Sequence, residues 1–412
     1  MAIGVAFQPL LRVWRYREYA LFMGGMAPSL VTLWMQRVGV GWLAWELTHS
    51  PAWLGAVAAA DLAPMIVLAP FAGALTDRGN PLRQARVTQL LFVLQAIAMA
   101  AFTLADAMTI EILFGLSLVS GCLQPLASTA RHAIVPATVP RDAFATAIAT
   151  DSALFNGSRF LGPALAGLMI PYAGVGGTFV VHAVGCAVFS TTLHMMRLAP
   201  PDRGNRARGN ILGDVVESFS YIARHPGIGP LFLMLTAVSI CLRPLQDMLP
   251  GFAGSVFDAG AVGLAWLTSA MGVGAMLSAL WIAMRGHIAG LTRTVLRGCL
   301  ALSVSVFGFV ATDVLWVSIV FSALAGYAFN SMTTGTQTLV QSSVANELRG
   351  RIMGTYTLIY RGTPAFGALA VGALAETIGL RITLAIAAAV TLGAWALTAP
   401  RRHAITAAVE AK

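Results

Sequence analysis

The chain has 412 residues, 57% of them hydrophobic and only 10% charged, with a mean hydropathy of +0.76. Soluble domains carry about 25% charged residues, so the composition excludes a soluble protein and indicates an integral membrane one. The net charge of +9 does not argue for nucleic acid, because the arginines fall in alternate loops rather than on one face, as the positive-inside bias requires.

Apolar runs of about twenty residues recur from end to end, the length of a bilayer-crossing helix and unlike the weak alternation of barrel strands. Twelve spans are predicted, at 19–47, 52–75, 85–105, 110–133, 143–170, 175–198, 228–250, 260–284, 293–311, 314–340, 349–375 and 380–399. The expected fold class is therefore all-α integral membrane. Arg12, Arg15 and Arg17 precede the first span, which lacks a cleavage site and reads as an anchor helix rather than a signal peptide. With the N-terminus in the cytoplasm, Arg78, Arg83, Arg86, Arg131, Arg141, Arg197, Arg203, Arg206 and Arg208 lie inside, joined by Arg285, Arg293, Arg297, Arg349, Arg351, Arg401 and Arg402. The opposite loops carry Glu46, Asp106, Glu111, Asp258, Asp313 and Glu376, with Arg381 as their only arginine.

Ionisable residues inside spans cost about 2.5–3.5 kcal/mol each on insertion scales, so each is a functional candidate. In the first hairpin, Arg37 and Asp61 stand twelve residues either side of His49 and should reach similar depth. Between spans two and three, GALTDRGNPLRQAR at 73–86 sets Asp77 among Arg78, Arg83 and Arg86. Span four carries Gln124. Asp151, two turns into span five, is the most isolated acid, with no basic residue of span four expected at its depth; Arg159 lies about 80° around the same helix. A desolvated carboxylate can take a proton near neutral pH, which makes Asp151 a proton-coupling candidate with Asp61 and Asp247 as alternatives. His182 and His194 read as packing residues without partners. Cys122, Cys186, Cys241 and Cys299 sit in apolar spans with no metal-ligand spacing and read the same way.

PPDRGNRARGN at 200–210 reads as a linker between halves, followed by Ile211, Val215, Phe219 and Ile222 at helical spacing, an amphipathic helix on the cytoplasmic membrane surface. The organisation expected is a six-helix bundle over 1–198, a linker over 199–227 and a second six-helix bundle over 228–412. Arg243 lies one residue from where a 205-residue shift places Arg37, and Asp247 follows at i+4. Asn330, Thr334, Gln337 and Gln341 form a polar stripe at i, i+4, i+7 and i+11 of span ten, either facing a cavity or bonding a neighbouring helix. Arg361 is mid-span in helix eleven. Arg37, Gln124, Arg243, Asn330, Thr334, Gln337 and Arg361 make up the candidate substrate cavity.

The same shift lays RDAFATAIATDSALFNGSRFLGPALAG on NELRGRIMGTYTLIYRGTPAFGALAVG, matching Gly157, Gly162 and Gly167 to Gly362, Gly367 and Gly372. Parallel repeats about an axis normal to the membrane are an architecture of alternating-access transporters. With LRVWRYREYALFMGG, WLAWELTHSPAWLGAV, GALTDR and LGPALAG, the chain resembles the major facilitator superfamily, in its drug-efflux and siderophore-export branch, which includes the enterobactin exporter. The resemblance covers nearly the whole chain and implies two pseudo-symmetric six-helix bundles around a central cavity.

The family's loop after span two carries a Gly-x-x-x-Asp-Arg-x-Gly-Arg-like motif that latches the cytoplasmic side. Gly73, Asp77 and Arg78 match it, Gly79 comes one place early, and Asn80, Pro81 and Leu82 stand where basic residues are usual before Arg83 restores one. The equivalent loop of the second half has Ile282 at the place of Asp77, so the implied latch is one-sided. In span five Gly157, Gly162, Pro163 and Gly167 resemble the exporter motif, implying close helix approach across the domain seam and export rather than import.

The expectation is a proton-driven exporter of a small amphipathic molecule, a siderophore or drug, working by alternating access. Uptake of a small organic anion, suggested by Arg37 and Arg243, and a non-transporting receptor or assembly subunit are the alternatives. The implied partners are the small-molecule substrate, protons and the lipid bilayer of a bacterial inner membrane, with no nucleic acid. No cofactor, metal or enzymatic constellation is expected, both termini are placed in the cytoplasm, and the chain is read as a monomer.

Overall fold

The computed structural model describes residues 13–198 and 211–410. Arg12, Arg203, Arg206, Arg208 and the linker at 200–210 lie outside the described residues. The described chain is almost wholly helical and contains no strand, as bilayer burial requires when every backbone polar group must be satisfied within its own segment.

The first part comprises α1 (Arg17–Thr48), α2 (Pro51–Leu62), α3 (Pro64–Arg78), α4 (Pro81–Leu104), α5 (Ile110–Ala137) and α6 (Phe144–Met195). Span two is thus two helices, broken where Pro64 opens α3 without an N–H to continue the ladder. At 52 residues, α6 extends about 78 Å at 1.5 Å per residue, far beyond one bilayer core. Gly174, at φ 64° and ψ −178°, divides it into two spans, using backbone freedom that residues with a Cβ lack.

The second part comprises α7 (Ile211–Arg224), α8 (Ile228–Ala237), α9 (Leu245–Gly251), α10 (Gly260–Arg285), α11 (Leu291–Ala311), α12 (Leu315–Ser343), α13 (Asn346–Thr357), α14 (Thr363–Ile378), α15 (Leu380–Thr398) and α16 (Arg402–Val409). Span seven runs through α8 and α9 with π-helical turns at Val238–Leu242 and Phe252–Val256, and span eleven joins α13 to α14 through another at Leu358–Gly362. The physical cause at the first is Pro244, which cannot donate to the carbonyl of Ile240 four residues earlier. Ten described segments are long and apolar enough to cross a membrane. Division of the longest at Gly174, together with α1, brings these to the twelve crossings expected from the sequence.

Two compact units emerge, Met1–Leu47 with Ala63–Asn205, and Thr48–Leu62 with Arg206–Lys412. In the first, Tyr19 and Phe22 of α1, Ile134 of α5, and Ala147 and Leu193 of α6 form a fully buried core. In the second, α10 and α12 pack so closely that a Cβ on Gly274 would lie 1.8 Å from the Ala323 carbonyl oxygen, and one on Gly326 would lie 2.0 Å from that of Met271.

α2 packs in the second unit against α14. A Cβ on Gly55 would fall 2.3 Å from the Ala368 carbonyl oxygen, and one on Gly372 would fall 2.7 Å from that of Pro51. Glu376 closes the end of this seam, its carboxylate accepting from Ser50 Oγ at 2.7 Å and from the Ala52 N–H at 3.1 Å. A carboxylate at a helix N-terminus satisfies orphan donors and complements the helix dipole.

Candidate functional site

Three arginines of the first unit converge on two aromatic rings. Arg37 of α1 and Arg159 of α6 both lie over the Trp34 indole, at 4.9 and 5.4 Å from its centroid. Trp34 packs edge-on against Phe155 at 6.3 Å, and Arg131 of α5 lies over Phe155 at 5.9 Å. Arg131 completes the group by donating to Asp151 from Nε, at 3.1 Å, and from Nη2. Three guanidiniums, two aromatic faces and one carboxylate therefore share one locus. Trp34 is 5% exposed, and its Nε1 finds no hydrogen-bond acceptor among the described residues.

This overturns the isolation of Asp151. Its base is on span four, where none was expected, because α5 runs on to Ala137 instead of stopping near 133. Arg131 lies six residues before the end of α5 and Asp151 seven after the start of α6, so antiparallel neighbours bring them level. Counting residues either side of the connecting loop, as for Arg37 and Asp61, exposes the pair in the sequence. Trp34 and Phe155 carry no such signal, since an aromatic ring in an apolar helix is indistinguishable from lipid-facing or core residues.

Gly162 sets the geometry of this locus. A Cβ there would lie 2.4 Å from Trp34 Cβ and 2.6 Å from the Val31 carbonyl oxygen, whereas one on Gly157 would meet nothing within 4 Å. Gly162 thus brings α6 onto α1 inside its own unit, not across the seam between halves. Its repeat partner Gly367 approaches the Ile240 carbonyl oxygen in the same manner, at 2.2 Å for a built Cβ. Pro163 and Gly167 continue α6 beyond this contact.

His182 and His194 are not without partners. Thr32 Oγ1 lies 3.1 Å from His182 Nδ1 and Cys186 Sγ 3.4 Å from Nε2, while His194 Nδ1 donates to the Ser190 carbonyl at 2.8 Å. The spans are apolar overall, but local helix spacing brings their few polar atoms together, as burial requires.

In the loop at 73–86, Asp77, Arg78 and Arg83 are exposed, and Gly73 has open space where a Cβ would stand. Asn80 caps α4, accepting from the Leu82 and Arg83 N–H groups at 2.9 and 3.1 Å, which explains an asparagine where a base is usual. Sequence reading missed the buried staple behind the loop: Thr76 Oγ1 contacts Gln84 Oε1 at 3.1 Å and Thr129 Oγ1 at 2.9 Å, joining spans two, three and four. Arg86 caps the end of α6, donating to the Leu193 and Met196 carbonyls at 2.9 and 2.8 Å.

The second unit treats its candidates differently. Arg243 and Asp247 pair along one helix at 3.8 Å. Asn330 is buried and donates to Ser278 Oγ of α10 at 3.2 Å, while Thr334 leans on Asn330 Oδ1 at 3.4 Å. The stripe is therefore split, with Asn330 engaged between helices and Gln337 and Gln341 exposed. Arg361 is exposed in its π-helical turn, next to Tyr360, which stacks on Tyr356 at 5.8 Å. Gln124 is half-buried on α5, and Asp61 is half-buried in the last turn of α2. Arg381, the lone arginine of the acidic loops, pairs with Asp313.

A family model described as transmembrane secretion effector matches residues 18–409. The multidrug efflux pump Tap of Mycolicibacterium fortuitum is 25% identical over 356 residues, covering 84% of this chain and 86% of that protein. The staphyloferrin A transporter of Staphylococcus aureus is 21% identical over 375 residues, 90% of each. Among solved structures, a D-xylose-proton symporter superposes with a TM-score of 0.71 at 13% identity, over 92% of this chain and 97% of that one. A bacterial homologue of the human lysosomal transporter Spinster gives 0.69 at 15% identity, over 95% and 98%.

Proposed function

The chain belongs to the transmembrane secretion effector family of the major facilitator superfamily and is a multi-pass membrane transporter, not an enzyme; we propose that it is a proton-driven exporter of a small amphipathic molecule. Similarity to proteins named for multidrug efflux and for staphyloferrin A transport supports a drug or siderophore as cargo. The arginine loops alternate as expected for a bacterial inner membrane with both termini in the cytoplasm, and the functional unit is the monomer, moving by alternating access.

The observation that carries the reading is the Arg37–Trp34–Arg159 and Phe155–Arg131–Asp151 cluster. Its rings offer apolar faces and its guanidiniums offer forked donors to a carboxylate or catecholate. Asp151 is the leading coupling acid, because a proton on it breaks an ion pair that ties α5 to α6. Asp247, paired with Arg243 at i+4, and Asp61 are the alternatives. Gly73, Asp77, Arg78 and Arg83 are proposed to latch the cytoplasmic side, with Arg37, Gln124, Arg243, Thr334, Gln337 and Arg361 lining the cargo route.

The test is flux in proteoliposomes with an imposed pH gradient, across siderophores, organic anions and lipophilic cations. Gradient-dependent flux of at least one class is expected, lost in Asp151→Asn. Absence of such flux with every class overturns the export reading, and unchanged proton dependence in Asp151→Asn removes that residue from the coupling step.

A further inference from the structure

A cavity of about 880 Å³ lies between the polar face of α7 and the start of span eleven, where the linker re-enters the second bundle. Arg224, His225, Tyr221 and Ser220 line it from α7 and its end, and Arg351, Leu348 and Ile352 line it from α13. Among the described lining residues Glu217 is the one carboxylate, and it is engaged by Arg351 Nη1 at 2.8 Å.

The remaining lining is mostly apolar, and the polar groups it presents include several donors. Guanidiniums donate only. His225 Nδ1 accepts from the Gly227 and Ile228 N–H groups at 3.2 and 3.1 Å, capping α8, so the neutral ring carries its proton on Nε2 and is a donor there. The Tyr221 ring, 5.5 Å from the imidazole, helps to hold that orientation. Hydroxyls from Tyr221 and Ser220 complete the set. Donors set in a mostly apolar wall suit an amphipathic anion with several acceptor oxygens, and forked guanidiniums match the oxygens of a phosphate. Leu348 and Ile352 add an apolar side. The helix that forms the opposite wall is amphipathic, with Phe219 exposed and Ile222 buried, and such helices lie at the depth of lipid headgroups.

We propose that this cavity is a phosphate-ester binding site, filled by the headgroup of an anionic phospholipid or by a soluble phosphate monoester. It is separate from the Trp34 cluster and does not depend on the export reading. Bound there, the phosphate bridges α7 to α13 and couples the linker to span eleven.

The experiment uses the full-length protein in detergent. Phosphatidylglycerol, phosphatidylcholine and sn-glycerol 3-phosphate are the probes, with native mass spectrometry and thermal unfolding as readouts. Phosphatidylglycerol should be retained in preference to phosphatidylcholine. Arg224→Gln should weaken that retention about tenfold, the loss of a charge-assisted contact, and Glu217→Gln should strengthen it by removing a negative charge from the lining. Stabilisation by sn-glycerol 3-phosphate with the same order of variants identifies the headgroup alone as sufficient; its absence beside phosphatidylglycerol retention identifies the lipid as the source. Equal retention of both lipids without stabilisation by glycerol phosphate overturns the proposal. So does wild-type affinity for every probe in both variants. Glu217→Gln keeps the test decisive should Arg224→Gln fold poorly, because it acts in the opposite direction.

Discussion

Arg131 and Asp151, from adjacent antiparallel helices, form an ion pair in which two guanidinium nitrogens address a single carboxylate oxygen. Their side chains are 19% and 18% exposed, so loss of either partner leaves a largely desolvated charge. Arg131→Gln should lower stability by about 3 kcal/mol, within the range for breaking a buried pair, while Arg131→Gln with Asp151→Asn should recover most of it. A double-mutant cycle of thermal unfolding in detergent checks this. Additive effects of the two substitutions would show that the pair contributes nothing as a unit.

The glycines of span five separate into two kinds. Gly162→Ala forces a Cβ into Trp34 and the Val31 carbonyl and should cost about 1–3 kcal/mol, displacing the indole that carries Arg37 and Arg159. Gly157→Ala meets open space and should be neutral or slightly stabilising, since alanine is the better helix former. Tryptophan fluorescence and unfolding of the two variants, compared side by side, distinguish a packing glycine from a merely tolerated one.

At the α2–α14 seam, Glu376 caps a helix that lies more than 300 residues away in sequence. Glu376→Gln and Ser50→Ala should each cost about 1 kcal/mol, the usual value of an N-cap, and the double variant no more than either alone. Gly372→Leu should be far more damaging, because the Pro51 carbonyl and the Gly55 backbone occupy the space. Flux and unfolding of the same preparations report both effects.

Acid should loosen the second unit at two caps outside the spans. For Glu410, burial pushes the carboxyl up, but this is outweighed by the Thr292 side chain, by the Thr292 and Gly290 N–H groups and by Arg285, which together hold it below the ordinary range. A depressed carboxyl stabilises above its unfolded value, and that stability is lost as pH falls through the folded one. His225 is also held below its ordinary range, by burial. The unfolded chain then takes the proton more readily, so its contribution likewise falls as pH drops from the ordinary imidazole value. Glu410→Gln should lower the unfolding temperature at pH 7.5 and flatten its acid limb. An unchanged acid limb would exclude the Glu410 cap as its source.

Span number is legible in the chain because hydrophobic length answers to bilayer thickness, a constraint that acts on each segment alone. The matched glycines were legible too, since Gly162 and Gly367 make equivalent close approaches in their own units. Arg131, assigned from sequence to an inner loop, is not legible from hydropathy as the partner of Asp151, although similar residue counts either side of the connecting loop point to it. Its role depends on where α5 ends and how far a long side chain reaches, and helix ends are set by local capping that hydropathy does not record.

The sequence by itself determined the membrane class, the twelve crossings and the family, because composition, segment length and motif spacing are properties of the chain. Tertiary structure alone decided that Trp34 serves two arginines, that Asn330 turns to Ser278, and that α2 belongs to the second unit's packing while α3 belongs to the first. Those outcomes follow from which helix faces meet. In an interior where nearly every face is apolar, hydrophobicity does not distinguish one face from another, and small residues and close backbone approaches decide instead.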